Sequence, residues 1–505
     1  MTNHLYDALI APRAQSDACF LKQDGQPDIS FRDFNEMSAR MAHRLVAAGV
    51  GPGDRVVVQA QKSVGMVALY IATVRAGAVF LPLNTAYTQD EVDYFVSDAA
   101  PRVIVCDAAK GAVIEVVAGG ATVLTLNADN SGALTEGLAD YPANFESVPR
   151  GPDDLAALLY TSGTTGRSKG AMMTHDNLLS NARALCDLWQ ITSDDTLIHA
   201  LPIFHTHGLF VALNTSLLAG ARVHFMPAFD LDAIFAAMPG ATTLMGVPTF
   251  YTRMLADPRL DADRVREMRL FISGSAPLLA ETHIAFTERT GHHILERYGM
   301  TETNMITSNP YTGERRAGTV GHPLPGVEVR VTNPETGAEI PQGEVGMIEV
   351  RGPNVFKGYW QMPEKTAAEL RANGFFITGD LGIVSEDGYL SIVGRSKDLI
   401  ITGGYNVYPK EIEDVLNDID GVVESAVFGI PDADFGEAII AALVVSPKAP
   451  EIDHISAIVR DKLARFKHPR TYTILDALPR NTMGKVQKNV LRDAHQDQAL
   501  EPQDP

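Results

Sequence analysis

Cysteine is scarce: Cys19, Cys106 and Cys186 are the only three in 505 residues. Their number is odd, their spacing is wide and no zinc pattern appears. A disulfide-stapled scaffold is excluded and a reduced setting fits. No apolar run is long enough to span a bilayer. The opening segment from Met1 to Ile10, with His4, Tyr6 and Asp7, lacks the basic-then-apolar layout of a secretory signal. A cytoplasmic protein without a membrane partner is expected. Positive charge is also short, with 42 Lys and Arg against 62 Asp and Glu and a formal net charge of −20. That field repels nucleic acid, although a local basic patch can still meet a phosphorylated small molecule. Internal repeats and long low-complexity tracts are missing too, and no obligate protein partner is evident.

What is present is a globular composition, 45% hydrophobic and 21% charged, on a chain with room for more than one core. Strand and helix patterns alternate over the first three-quarters. Arg55–Ala60 reads as a buried strand, and Val67, Tyr70, Ile71 and Val74 repeat at the spacing of a helix face. Ala78–Leu83, Val103–Cys106 and Thr122–Leu126 read as further strands of a parallel α/β layer. From about Gly318 to Gly388, short β-rich stretches punctuated by Gly and Pro predict a small β-rich subdomain. Beyond the charged stretch Arg395–Gly404, a helix near Pro409–Asn417, strands at Val422–Ile430 and Ala438–Val445, and a helix at Ile452–Arg465 predict a separate α+β domain. The expected fold is α/β: a large N-terminal domain (1–394) of layered α/β subdomains plus the β-rich subdomain, then a small α+β C-terminal domain (395–505).

The strongest local signal is Tyr160-Thr161-Ser162-Gly163-Thr164-Thr165-Gly166-Arg167-Ser168-Lys169-Gly170. The apolar strand Leu155–Leu159 leads in, and Thr174 caps a helix with Leu178, Ala182, Leu185 and Trp189 on its apolar face. Strand, glycine loop and helix cradle phosphate: backbone N–H groups approach the oxygens, hydroxyls add donors and lysine adds charge. The spacing is not the Walker form. Such loops are often plain turns, but the unbroken hydroxyl-glycine run ahead of Arg167 and Lys169 favours phosphate. Tyr298-Gly299-Met300-Thr301-Glu302 offers a carboxylate to a hard cation or starts a helix with Glu at the positive end of its dipole. By themselves, Gly274-Ser275-Ala276-Pro277 and Thr378-Gly379-Asp380 read as turns, and Gly394-Arg395-Ser396-Lys397-Asp398 as a charged linker. Lys485, which ends Pro479-Arg480-Asn481-Thr482-Met483-Gly484-Lys485, reads as a surface lysine with Lys488 nearby.

In this order the six elements resemble the signatures of the adenylate-forming superfamily of acyl- and aryl-CoA synthetases, peptide-synthetase adenylation domains and beetle luciferases. They span about two-thirds of the chain. The resemblance implies an AMP-forming ligase that uses ATP, Mg2+ and CoA. It places Thr161, Ser162, Gly163, Thr164, Thr165, Gly166 and Lys169 on the phosphates. Gly274, Ser275, Ala276 and Pro277 would lie against adenine, with Glu296, Tyr298, Gly299 and Met300 in the same nucleotide-binding set. Thr301 would meet the α-phosphate, Glu302 would hold Mg2+, and Asp380 and Arg395 would meet ribose. Lys397 would be the hinge of a mobile C-terminal domain, which brings first Lys485 for adenylation and then Gly403 and Gly404 beside the pantetheine tunnel.

Two places bear on the acid. Arg297 stands where many relatives keep a small or neutral residue, and Pro202–Leu209 resembles the family's histidine-containing pocket element, with His205 as its usual, catalytic histidine and His207 as a second polar side chain. A buried guanidinium is costly unless a carboxylate pairs with it. Either a dicarboxylate is clamped there, with Arg253 as a second contact, or Arg297 pairs internally with an acid such as Glu296. The segments around these residues resemble malonyl-CoA synthetases, which implies malonate as the acid. Methylmalonate, another small acid, or a carrier-protein thiol in place of CoA are the alternatives.

Overall fold

The computed structural model describes residues 2–161, 168–402, 405–432, 435–481 and 484–496. Ser162, Gly163, Thr164, Thr165 and Gly166, and likewise Gly403 and Gly404, lie outside the described residues. The chain divides into two compact units, residues 1–329 with 350–376, and residues 330–349 with 377–505. The boundary expected between Gly394 and Arg395 falls inside the second unit. Among the described residues no helix is long and apolar enough to cross a membrane.

Two sheets organise the first unit. In the six-stranded sheet the order is Thr122–Thr125, Val103–Cys106, Arg55–Gln59, Val79–Pro82, Leu155–Thr161, Lys169–Thr174. The first five strands run parallel and the last antiparallel. The nine-stranded sheet has a parallel centre that includes Leu295–Met300, Leu270–Ser273, Thr243–Gly246, Thr196–His199 and Arg222–Phe225. Val56, Val57 and Val58 are fully buried, as a strand covered on both faces requires. Helix Val64–Arg75, capped by Ser63, is buried at every position and not only on the Val67–Val74 face. Even its Arg75 is enclosed, donating to the Asn35 carbonyl and side chain at 3.0 Å and to Ser38 Oγ at 2.9 Å.

The glycine loop departs from expectation. Lys169–Thr174 pairs antiparallel with Leu155–Thr161, with Thr161 opposite Lys169, so the loop is the tip of a hairpin. Gly170, Ala171, Met172 and Met173 continue as strand through this pairing, with Ala171 and Met173 buried and Met172 half-buried. The helix His175–Trp189 starts only after Thr174, through a capping box with Asn177, so its N-terminus is not at the loop. Nor does Glu302 start a helix. It lies in the tight connection between the antiparallel strands Leu295–Met300 and Asn304–Ser308.

In the second unit, strand Phe376–Val384 pairs antiparallel with Leu390–Arg395. A further sheet is built on the long hairpin Val422–Asp432 and Gly436–Val445. Helices Pro409–Asn417 and Ile452–Lys462 cover it through Ile412, Leu416, Ile455 and Val459, all completely buried.

One buried ion pair locks the nine-stranded sheet to the preceding helix. Arg269 Nε and Nη2 donate to Asp195 at 2.8 and 2.7 Å, and its guanidinium also reaches the Trp189 and Gln190 carbonyls. Thr242 Oγ1 and the Thr192 amide donate to the same carboxylate at 2.6 and 2.9 Å. Burial raises the Asp195 pKa, but these donors outweigh it and hold the carboxyl below its usual range. Asp195→Ala is expected to destabilise the protein by about 3 kcal/mol, because Arg269 loses its counter-charge. Urea unfolding checks this, and a change under about 0.5 kcal/mol, the scale of a neutral surface substitution, refutes it.

Candidate active site

Arg297 is the centre of one cluster. It lies on Leu295–Met300, beside the parallel strand Leu270–Ser273 and the loop that begins at Gly274. A Cβ on Gly274 would stand 2.4 Å from Arg297 Cζ, so only glycine lets the guanidinium lie flat on this backbone. Arg297 is 3% exposed, and its Nε and Nη2 have no hydrogen-bond partner. Burial pushes its pKa down to about 9. Glu296 does not serve as the internal partner: its Oε1 accepts from the Leu278 amide at 3.2 Å, and successive strand residues face opposite ways.

His207 approaches from the π-helical segment His207–Asn214, every residue of which is buried. Its Nδ1 lies 3.2 Å from Ser275 Oγ, and Ser275 holds a left-handed φ of 71°. Burial first, and then the Arg297 charge, hold His207 well below the ordinary histidine pKa, so the ring is neutral. His205 is half-buried and its Nδ1 accepts from the His207 amide at 3.3 Å. Arg253 does not join this group; it is exposed and lies over the Phe229 ring. Tyr251, on the same helix, faces inward and donates to the Ile272 carbonyl at 2.6 Å. Gly274 is buried, Ser275 and Ala276 half-buried and Pro277 exposed.

A second cluster surrounds Glu302, which is 5% exposed. The Tyr359 hydroxyl lies 3.0 Å from Glu302 Oε1 and 2.6 Å from Glu369 Oε2. Lys169 Nζ sits 3.2 Å from that hydroxyl and 3.4 Å from Glu369. Burial, and then the Glu302 charge, raise the Tyr359 pKa. Both stems of the glycine loop are braced by helix Gln89–Ala99: Tyr94 donates to the Ser168 carbonyl at 2.8 Å, and Tyr160 donates to Asp98. Thr161 Oγ1 reaches back to the Lys169 carbonyl at 3.4 Å. Thr301, Gly299 and Met300 are half-buried in the adjoining hairpin, and Tyr298 is buried. Tyr94, Asp98, Tyr359 and Glu369 were not found from sequence, because no local motif contains them.

In the second unit Asp380 faces Arg395 across the strand pair, with Arg395 Nε 2.7 Å from its carboxylate. Thr378 Oγ1 accepts from the Asp380 amide at 3.0 Å. Lys397 is exposed on the short turn Ser396–Asp398, whose Asp398 is tied to Arg492 at 2.7 Å. Lys485 is exposed, while Lys488 is paired with Glu413 at 2.6 Å.

Residues 10–360 match the AMP-binding enzyme family and residues 411–485 the AMP-binding enzyme C-terminal domain. The chain belongs to this family. It is an ATP-dependent, AMP-forming acyl-CoA synthetase. It is 34% identical over 536 residues to a malonate–CoA ligase of Arabidopsis thaliana, covering 98% of this chain and 85% of that protein. A feruloyl-CoA synthase of an Amycolatopsis species is 35% identical over 475 residues, covering 93% and 94% of the two chains. The crystal structure of ATP-bound MatB from Rhodopseudomonas palustris superposes with a TM-score of 0.97 at 55% identity, covering 98% of this chain and 99% of that one. Relatives in this synthetase family thus differ widely in the acid named, and the acid must be argued from the Arg297 cluster.

Two buried histidines, His199 and His175, are expected to make the fold acid-sensitive. His199 is fully buried; burial first, and then Lys62, push its pKa down to about 3 from 6.5. His175, at the start of helix His175–Trp189, is likewise held at about 4 by burial. As the pH falls below 6.5 the unfolded chain takes up protons at these rings while the folded chain does not. Their stability contribution is therefore complete above 6.5 and is lost on acidification, at about 1.4 kcal/mol per pH unit for each ring while it stays neutral. Urea unfolding between pH 6.5 and about 4 should show this slope, reduced in His175→Asn; a flat profile refutes it.

Proposed function

We propose that this synthetase is a cytoplasmic malonyl-CoA synthetase, converting malonate, ATP and CoA to malonyl-CoA, AMP and pyrophosphate. The observation that carries the reading is Arg297: among the described residues it is a buried guanidinium with two donor nitrogens unpartnered and no carboxylate paired with it. Such a group is costly unless an anion completes it, and a planar carboxylate matches its fork. One malonate carboxylate is clamped there while the other reacts. His207, neutral and hydrogen-bonded to Ser275, adds a polar wall where an aryl or alkyl chain would need an apolar one.

In the first half-reaction the free carboxylate oxygen bonds to the α-phosphorus as the bond to the pyrophosphate oxygen breaks. Positioning and charge neutralisation carry this step. Lys169 and the loop hydroxyls hold the phosphates, Thr301 meets the α-phosphate, and Asp380 with Arg395 takes the ribose. Lys485 supplies charge to the transition state; Lys488 is engaged by Glu413 and is the weaker candidate. Mg2+ would be held by Glu302 together with phosphate oxygens and would neutralise their charge. The buried Glu302 carboxylate fits that use. Among the described residues no three His, Cys, Asp or Glu side chains gather into a metal site without substrate oxygens. In the second half-reaction the CoA sulfur bonds to the acyl carbon and AMP leaves.

Lys485→Ala should abolish AMP formation from malonate and ATP while leaving thioester formation from supplied malonyl-adenylate largely intact. Equal loss of both half-reactions rejects the assignment. Arg297→Ala should cost about 2–5 kcal/mol in kcat/KM for malonate, the scale of a broken buried charge pair. Assaying AMP release across malonate, methylmalonate, succinate and propionate tests the acid. Unchanged malonate kinetics in the variant, or a wild-type preference for the monocarboxylate, removes the clamp.

A further inference from the structure

Lys62 belongs to no motif. It follows the buried strand Arg55–Gln59 and precedes Ser63, the cap of helix Val64–Arg75. Its ammonium lies 2.8 Å from His199 Nδ1, 2.9 Å from the His199 carbonyl and 4.4 Å from the centroid of the Phe225 ring. It makes no ion pair with a carboxylate among the described residues. Burial holds its pKa well below the lysine range.

A carbonyl only accepts, so the His199 ring hydrogen sits on Nε2, facing Gly208, and Nδ1 accepts from Lys62. Nε2 in turn donates to the Gly208 carbonyl at 2.8 Å. Gly208 is already confined on another side, since a Cβ there would meet the Pro202 carbonyl at 2.1 Å. The residue before it is His207, whose ring reaches Ser275 beside Arg297. A continuous chain therefore runs from Lys62 through His199 to the peptide that orients His207. A neutral donor would satisfy His199 Nδ1 without desolvating a charge. The use of lysine places a cation, without a carboxylate partner among the described residues, at the far end of this chain of contacts, and the arrival of an anion favours its charged form.

We propose that Lys62 is a specificity-determining positioning residue: through His199 it sets the Gly208–His207 segment against Arg297, and its charge favours acids with a second carboxylate over monocarboxylates of equal size. This inference rests on the dicarboxylate reading above. The test measures kcat/KM for malonate and for propionate, and KM for ATP, in the full-length wild type, Lys62→Met, Lys62→Arg and His199→Gln. Lys62→Met should lower the malonate-to-propionate ratio by about tenfold, the scale of one partly screened charge interaction, with KM for ATP unchanged. Lys62→Arg should restore most of the ratio. If Lys62→Met does not fold, His199→Gln should move the ratio the same way. A ratio unmoved in the folded variants, or both acids falling alike, overturns the role of Lys62. A wild type indifferent to the second carboxylate instead defeats the dicarboxylate reading, and this inference with it.

Discussion

A guanidinium enclosed without a carboxylate is the constraint from which the rest of the site follows. Arg297 is carried inward by a central strand and can lie where it does only because Gly274 presents bare backbone. The neighbouring groups are arranged so as not to quench it. Glu296 is turned to the other face of the strand, His207 is kept neutral, and Tyr251 gives its hydroxyl proton to a carbonyl. An unpaired buried charge is costly to a folded protein, and functional sites are where such exceptions gather.

The glycine at 274 also changes how its loop is understood. As a motif, Gly274 to Pro277 reads as a surface for the nucleotide base. In the fold, the first residue of that run makes room for Arg297, and the second, Ser275, holds His207 from a left-handed backbone. One short connection after a buried strand therefore borders both Arg297 and His207. Loops at the carboxyl ends of parallel strands are where such sites collect in open α/β sheets.

Much of the architecture was legible because buried parallel strands leave short, unbroken apolar runs. Val103–Cys106 and Pro409–Asn417 were found to the residue, and Thr174 was found as a helix cap. The glycine hairpin was misread because Met172 and Met173 carry no alternation that separates strand from helix, and the pairing with Leu155–Thr161 is a tertiary fact. Asp380 and Arg395 were found separately, while their facing register came only from the strand pair. Lys62, His199, Tyr359 and Glu369 left no local trace at all. Each acts on a partner far along the chain, and short-range spacing is silent about such contacts.

The Tyr359 hydroxyl carries a lesson of its own. It stands within reach of two carboxylates, Glu302 and Glu369, yet has a single proton to give. Lys365 and Lys169 both sit against Glu369, at 2.7 and 3.4 Å, so two cations compete with the hydroxyl for that carboxylate. A single rotatable bond thus couples the two carboxylates, and no backbone need move to change which of them the hydroxyl serves.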